Sequence, residues 1–389
     1  MIPGRVMEGS DAIAEAVRLA RPQVIAAYPI TPQTHIVEAL ARAVADGRLD
    51  AEFLTVESEH SAASAVLGAS AAGVRTFTAT SSQGLLYMSE VVFDLAGMRL
   101  PVVMTVANRA ISGPLSIWND HQDSMALRDA GWIQVFAQTP QGAHDLHLVA
   151  YRVAEDQRVL LPVMVCVDGF VLTHAFEAVE TATPEEVQAF LPPYRPEAIL
   201  DPEHPVTFGA YADPGLYEEA RFEVEAAQCS AVEAIAEALA EFGSITGRRY
   251  DPCLDRYRVD DAAVVLVAMG TAAQTARAVV DELRDEGLAA GLVAIRTFRP
   301  FPRDVLRDAL AGAGRVVVLD RAVSLGAGGI VATEVRDALY GLPDAPEVVG
   351  TVAGLGGRDV SRETLRRAFA ATADGWIDLR PVTGRRRIA

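Results

Sequence analysis

Hydrophobic positions in the first third of the chain come as short, nearly unbroken runs at Val24 to Tyr28, Phe53 to Val56, Thr76 to Thr80 and Val102 to Ala107, with another at Pro162 to Val167. Between them the pattern turns helical. Strands buried on both faces read as continuous apolar runs, so the alternation predicts an α/β fold in which helices cover both faces of a parallel sheet. The first four runs also end in polar groups that a core does not need: Tyr28-Pro29-Ile30-Thr31, Glu57-Ser58-Glu59, Thr80-Ser81-Ser82-Gln83 and Asn108-Arg109. Ligands of open parallel sheets collect outside the carboxyl ends of the strands, and four such endings predict one shared small-molecule site.

The rhythm breaks between about Ala175 and Arg258, where Pro192, Pro193, Pro196, Pro202, Pro205 and Pro214 are followed by one helix-like run near Ala226 to Leu239. We expect a partly extended connector, residues 176–258, packed on a first domain of residues 1–175. A second rhythm starts at Val264 to Ala268 and continues through Leu292 to Ile295, Arg315 to Leu319 and Val348 to Val352. Residues 259–389 are therefore expected to form a smaller α/β domain. Within it Gly326-Ala327-Gly328-Gly329 precedes a helix, but the spacing is not that of a dinucleotide loop, and close packing of helix on strand is the better reading.

Composition narrows the setting. Half of the 389 residues are hydrophobic, enough for a large core. The formal charge of -18, from 52 acidic and 34 basic residues, would repel nucleic acid and anionic membrane surfaces, so neither is an expected partner. No stretch approaches the roughly 20 uninterrupted apolar residues of a membrane span, and the start of the chain has no signal-peptide core; a cytoplasmic location is expected. Cys166, Cys229 and Cys253 are widely spaced, without the C-x-x-C pattern of zinc or iron-sulfur ligation, so no metal is assigned to this chain.

Each strand ending supports more than one role. Pro29 and Pro32 stiffen the turn around Thr31, which either serves the next helix alone or presents its hydroxyl to a ligand. Glu59 opens a helix of small residues, where a carboxylate interacts favourably with the helix dipole or, if desolvated, exchanges a proton with a heterocyclic nitrogen. Ser82 and Gln83 lie in a strand-to-helix turn suited to polar or anionic groups, although ordinary turn chemistry explains them too. Arg109 at its strand end is shaped to clamp a carboxylate through two parallel hydrogen bonds, or is a solvated surface arginine. The loop Ile117-Trp118-Asn119-Asp120-His121-Gln122-Asp123 is rich in chemistry but too compressed for a metal site, and His121 receives no role.

These strings carry a resemblance. A-Y-P-I-T-P-Q-T from Ala27, V-E-S-E-H-S-A from Val56, F-T-A-T-S-S-Q-G-L from Phe77 and N-R-A-I-S-G-P-L-S-I-W-N-D-H-Q-D from Asn108 resemble the alpha subunit of pyruvate:ferredoxin oxidoreductase. So do G-W-I-Q from Gly131, L-P-V-M-V-C-V-D-G-F from Leu161, R-P-F-P from Arg299, L-D-R-A-V-S-L-G-A-G-G from Leu319 and G-L-G-G-R-D from Gly354, so that only the connector is poorly tied.

The resemblance implies a thiamine diphosphate enzyme that decarboxylates a 2-oxoacid, transfers the acyl group to coenzyme A and passes two electrons to ferredoxin. It also implies a pyrimidine-side thiamine diphosphate domain followed by a transketolase C-terminal-like domain. Glu59 would match the glutamate that hydrogen-bonds the aminopyrimidine and promotes its imino form, with Ser82 and Gln83 as further cofactor contacts. Thr31 and Arg109 would hold the substrate's carbonyl and carboxylate region. The family's diphosphate motif, G-D-G, is missing: Val167-Asp168-Gly169 lacks the first glycine. The diphosphate with its Mg2+ is therefore expected on a beta-type subunit, and [4Fe-4S] clusters on partners that include gamma- and delta-type subunits, so that the chain alone is inactive. Pyruvate is the expected substrate; a branched-chain, aryl or 2-oxoglutarate enzyme, a non-redox thiamine decarboxylase half-enzyme and a silent scaffold are the alternatives.

Overall fold

The apolar runs form strands within a residue or two of the positions their pattern predicts. In chain order the first block contains β1 (Arg5–Glu8), β2 (Val24–Ala27), β3 (Glu52–Thr55), β4 (Thr76–Thr80), β5 (Val103–Asn108), β6 (Ile133–Phe136), β7 (Val163–Asp168) and β8 (Phe176–Val179). The later block adds β9 (Leu254–Tyr257), β10 (Val264–Met269), β11 (Ala290–Ile295), β12 (Thr297–Arg299), β13 (Arg315–Asp320), a short hairpin of β14 (Val323–Ser324) and β15 (Gly328–Gly329), β16 (Glu347–Val352) and β17 (Gly375–Trp376). The computed structural model describes residues 4–380. Residues 1–3 and 381–389, at the outer ends of the first and last expected segments, lie outside the described residues.

Two sheets result. The first has seven strands in the order β12-β6-β7-β5-β4-β2-β3, and the second has six in the order β17-β16-β13-β10-β11-β9. Strands β2 to β7 are mutually parallel, as are β10, β11, β13, β16 and β17, while β9 and β12 join antiparallel at the margins. β5 and β7 are buried at every position, which is why their sequences V-M-T-V-A-N and V-M-V-C-V-D show no alternation.

The two blocks share a core. Met104, Phe136 and Cys166 on one face of the first sheet pack in the same hydrophobic cluster as Val265, Val267, Ile295 and Phe298 of the second block. Phe136 meets Phe298 edge-on at 6.4 Å between ring centres, and β12, which follows Ile295 directly, crosses over to extend the first sheet beside β6. Separate outer clusters cover the remaining face of each sheet. Among the described residues, no helix is long and apolar enough to cross a membrane.

Two features exceed the sequence expectation, and a third agrees with it. β6 is missed because Gln134 interrupts its apolar run; that side chain is buried and donates to the Ser124 carbonyl at 2.9 Å. Inside the connector, the helix spans Tyr217–Thr246, and its buried residues begin only at Val224, so the first turns present no apolar stripe to read. The glycines before the Ile330–Leu339 helix admit the Asp320 carboxylate, which accepts from the Val331 and Ala332 N–H groups at 2.7 and 3.0 Å. A Cβ on Gly329 would lie 2.1 Å from Asp320 Oδ2, so the glycine serves helix-on-strand packing.

Candidate active site

The sheet order makes neighbours of the four polar endings, because β5, β4, β2 and β3 lie side by side and run in one direction. Thr31 follows β2, Glu59 follows β3, Ser82 and Gln83 follow β4, and Arg109 follows β5. They divide into two contacts that a third residue joins.

Glu59 begins the helix Glu59–Ala71, capped by Ser58, whose hydroxyl accepts from the Ser61 N–H at 3.2 Å. Capping is thus done by the serine and not by Glu59. The Glu59 side chain lies over Gly84: a Cβ there would come within 2.7 Å of Glu59 Oε1 and 2.5 Å of Thr80 Oγ1. Glu59 is 8% exposed, yet no group among the described residues hydrogen-bonds its carboxylate. At the ends of β4 and β5 the buried Thr80 Oγ1, Ser81 Oγ, Gln83 Nε2 and Asn108 Oδ1 also lack protein partners. Buried polar groups are nearly always paired, so a set of orphans at one sheet edge marks where a polar ligand completes the bonding.

Thr31 and Arg109 form the second contact. Arg109 is 7% exposed; its Nη1 donates to the Thr31 carbonyl at 2.8 Å and its Nε to the Ser116 carbonyl at 3.1 Å. Those bonds close the side-on approach to the guanidinium and leave the Nη1 and Nη2 end for a carboxylate. Burial lowers the Arg109 pKa, against the raising influence of Asp123. The Thr31 side remains exposed.

Asp123 joins the two contacts. Its Oδ2 accepts from the N–H groups of Ser82 and Arg109, both at 2.9 Å, and its Oδ1 from Asn108 Nδ2 at 2.7 Å and the Ser124 N–H at 2.8 Å. Burial pushes the Asp123 carboxyl up to about 6, against the pull of the Asn108, Ser82 and Arg109 hydrogen bonds. Ser82 is held at a φ of 51°, a left-handed conformation that costs energy for a residue with a side chain. Its hydroxyl lies 2.5 Å from the Ala110 carbonyl and 2.6 Å from Gln83 Oε1, so Ser82 shapes the turn while Gln83 keeps a free Nε2.

The loop after Arg109 docks on the second block. Asn119 O accepts from the Gly357 N–H at 2.7 Å, Asp120 Oδ2 accepts from the Gly356 N–H at 2.9 Å, and the His121 N–H donates to the Arg321 carbonyl at 2.9 Å. Beneath the loop, at the end of β7, the fully buried Asp168 meets His121 Nε2 at 2.7 Å, Arg321 Nη1 at 3.0 Å, the Thr271 N–H at 2.8 Å and the Thr271 hydroxyl. Burial would raise this carboxyl, but Arg321, His121 and Thr271 outweigh it and hold Asp168 well below the usual carboxylate range. Sequence reasoning noticed Asp168 only as the remnant of a missing motif. The available signal was a charged residue closing a fully apolar strand, since its partners lie 103 and 153 positions away.

Comparisons with known proteins place the chain in a family. Residues 15–239 match the family model "Pyruvate flavodoxin/ferredoxin oxidoreductase, thiamine diP-bdg", and residues 262–365 match "Pyruvate:ferredoxin oxidoreductase core domain II". The chain belongs to the pyruvate:ferredoxin oxidoreductase family. It is 51% identical over 381 residues to pyruvate synthase subunit PorA of Methanothermobacter thermautotrophicus, covering 97% of this chain and 98% of that one. It is also 43% identical to ketoisovalerate oxidoreductase subunit VorA of Pyrococcus abyssi, covering 91% and 90%. Among solved structures, the fold is similar to 2-oxoglutarate:ferredoxin oxidoreductase from Magnetococcus marinus, with a TM-score of 0.71 at 19% identity over 94% of this chain and 64% of that one. A split-gene transketolase shares the fold at a TM-score of 0.54 and 13% identity, covering 94% of this chain and 99% of that one.

For a thiamine diphosphate enzyme of this family the residues fit one half of the cofactor. An unpaired carboxylate beside orphaned hydroxyl and amide groups suits an aminopyrimidine, which both donates and accepts hydrogen bonds. None of the cavities of about 540, 660 and 720 Å3 is lined by Thr31, Glu59, Ser82, Gln83 or Arg109.

Proposed function

We propose that this chain is the alpha-type subunit of an oxidoreductase that converts pyruvate, coenzyme A and oxidised ferredoxin to acetyl-CoA, CO2 and reduced ferredoxin. The observation that carries the reading is the unpaired, nearly buried Glu59 carboxylate beside orphaned polar groups, within a chain that matches pyruvate synthase subunits over almost its whole length. Thiamine diphosphate, when bound, supplies the electron sink that lets CO2 depart from a 2-oxoacid. Glu59 holds a proton against a ring nitrogen of the aminopyrimidine, and the low exposure of the site strengthens that bond. Gln83 Nε2 and the Ser81 hydroxyl complete the polar rim. Arg109 orients the substrate carboxylate through its free guanidinium end, and Thr31, joined to Arg109 through its carbonyl, presents its hydroxyl to the substrate's carbonyl side.

The diphosphate, Mg2+ and [4Fe-4S] clusters are assigned to partner subunits, a beta-type subunit for the first two. Three cysteines that do not cluster, two of them buried, support this division, and burial raises Cys166 well above its ordinary pKa. The exposed Tyr87, Phe93, Leu115, Ile117 and Trp118 around the cleft suit a subunit contact. At a net charge of -18 the chain is a poor docking surface for an acidic ferredoxin, which is expected to bind the gamma- or delta-type subunits.

The test is ferredoxin or viologen reduction by the assembled complex, with pyruvate and ketoisovalerate compared at equal concentration. Arg109→Ala is expected to raise the KM for the 2-oxoacid by about ten- to a hundredfold, the worth of a charge-assisted hydrogen bond, with a smaller loss in kcat. An unchanged KM would remove Arg109 from the substrate. The 43% identity to a ketoisovalerate oxidoreductase subunit supports a second reading, a branched-chain enzyme, and a higher kcat/KM for ketoisovalerate would select it.

A further inference from the structure

Three groups with metal-binding chemistry meet at the start of the helix that follows the Thr31 turn, and the proposed reaction uses none of them. Glu8 ends β1, His35 lies in the first turn of the helix Thr34–Ala45, and His174 lies in the turn between β7 and β8. One ligand atom from each falls within 4.8 Å of the other two. We propose that Glu8, His35 and His174 form a binding site for a divalent cation of the zinc class, which pins the N-terminal strand and the β7–β8 turn to the helix that follows Thr31.

The backbone holds two of the three groups in place before any ion arrives. β1 pairs antiparallel with β8, with Glu8 opposite Phe176. Just beyond, the Gly9 N–H donates to the Ala175 carbonyl at 2.9 Å, and the Ser10 N–H and hydroxyl both donate to the Thr173 carbonyl at 2.8 Å. A Cβ on Gly9 would lie 2.1 Å from the Leu172 carbonyl oxygen, so the His174 turn and the Glu8 backbone are as close as chains can pack. His35 is the adaptable member: its side chain is 48% exposed, against 15% for Glu8.

The ring geometry fits shared coordination. The His35 and His174 centroids are 4.5 Å apart. Two imidazoles bound to one ion at about 2.05 Å, with a ligand angle between roughly 90° and 109°, have centroids roughly 4.5 to 5 Å apart. Glu8 Oε1 already lies 2.7 Å from His35 Nδ1, and the half-exposed His35 side chain is the one with room to adjust onto an ion. The Thr173 hydroxyl lies 2.8 Å from His174 Nδ1 and accepts from the Phe170 N–H at 2.8 Å, which leaves Nε2 as the ring nitrogen for the ion. Metal-bound histidines commonly have their second nitrogen tied down in this way.

Two imidazoles with one carboxylate select borderline divalent ions such as Zn2+ over the oxygen-seeking Mg2+ and Ca2+ and over thiolate-seeking ions. The site's position suggests its role. Gly169, at the start of the same turn, approaches Pro32 so closely that a Cβ would lie 2.6 Å from its Cγ. An ion here would tie the helix that follows the Thr31 turn to the turn that Gly169 opens. The inference does not rest on the oxidoreductase reading.

Zinc content tests it directly. The assembled complex and the isolated full chain would be dialysed against metal-free buffer after loading with Zn2+, then measured by mass spectrometry of the metal, with the iron of partner subunits counted separately. About one zinc per chain is expected, falling below about 0.2 in His35→Ala and in His174→Ala and to an intermediate level in Glu8→Gln. Zn2+ is also expected to raise the melting temperature of the native chain but not of those variants, whose melting in EDTA should stay within about 2 °C of native. His204→Ala, which removes an exposed histidine paired only with Asp201, is the control. The proposal is overturned if the native chain retains no zinc, if His35→Ala and His174→Ala keep it, or if His204→Ala loses as much.

Discussion

The cleft at the ends of β2 to β5 and the junction at the end of β7 are built from the same materials: a buried acid, an arginine, a threonine and a neighbouring loop. At the junction the acid is fully paired, although Arg321 Nε and the Asn119 side-chain amide are buried without a partner. Asp168 takes Arg321, His121 and Thr271, and its pKa falls well below the ordinary value. In the cleft, Glu59 has no partner, Gln83, Ser81 and Thr80 leave buried atoms unpaired, and Arg109 commits only part of its guanidinium. A saturated carboxylate stabilises one arrangement of the two blocks, whereas an unpaired carboxylate of similar burial keeps its bonding capacity for a ligand. Burial therefore does not separate structure from function here; pairing does.

The sharpest way to break this contrast is Glu59→Gln. Viologen reduction by the assembled complex should fall roughly a hundred- to ten-thousand-fold, since the amide cannot exchange the proton. Its unfolding free energy should change by less than about 0.5 kcal/mol, because no protein bond is lost. Near-normal turnover would show that the free carboxylate is incidental. Asp168→Asn should do the reverse, costing about 3 to 5 kcal/mol in chemical denaturation by leaving Arg321 buried without its counter-charge. Retained stability there would mean that the junction is not what holds the blocks together.

The two acids that organise these regions also predict opposite pH responses. Asp168, depressed when folded, contributes stability above its unfolded value near 3.9 that is lost as pH falls below it. Asp123, raised to about 6, holds its proton more tightly when folded, so its contribution declines as pH climbs from about 4 to about 6. Asp123→Asn should flatten that decline in denaturant titrations, by on the order of 3 kcal/mol across the window. A slope unchanged between native and variant would remove Asp123 as its source. The smallest effect is expected from Gly357→Ala. A Cβ there would meet Trp118 Cβ at 2.3 Å, at a φ of +75°, and should loosen the 116–123 loop at a cost of about 1 to 3 kcal/mol, seen as faster amide exchange in that loop.

Much of the cleft was legible before the structure because its residues sit at strand ends, where local pattern gives position. Thr31, Glu59, Gln83 and Arg109 each follow an apolar run within a few residues, and the parallel sheet brings the ends together. Ser82 was equally legible as a position but not as a role, since only the fold directs its hydroxyl to Ala110 and its N–H to Asp123. Asp123 itself looked like one polar residue in a crowded loop. β12 was invisible as part of the first sheet because its partner β6 lies far upstream and carries a buried glutamine.

The chain by itself determined the runs that become strands, the acids and arginine that close them, and the absence of a cysteine cluster or G-D-G motif, because these depend on residues adjacent in sequence. Tertiary structure alone decided which closing groups are consumed and which remain free. The partners of Asp168 come from positions 121, 271 and 321, and those of Asp123 from three separate segments, so pairing exists only after the two sheets have packed around their common core.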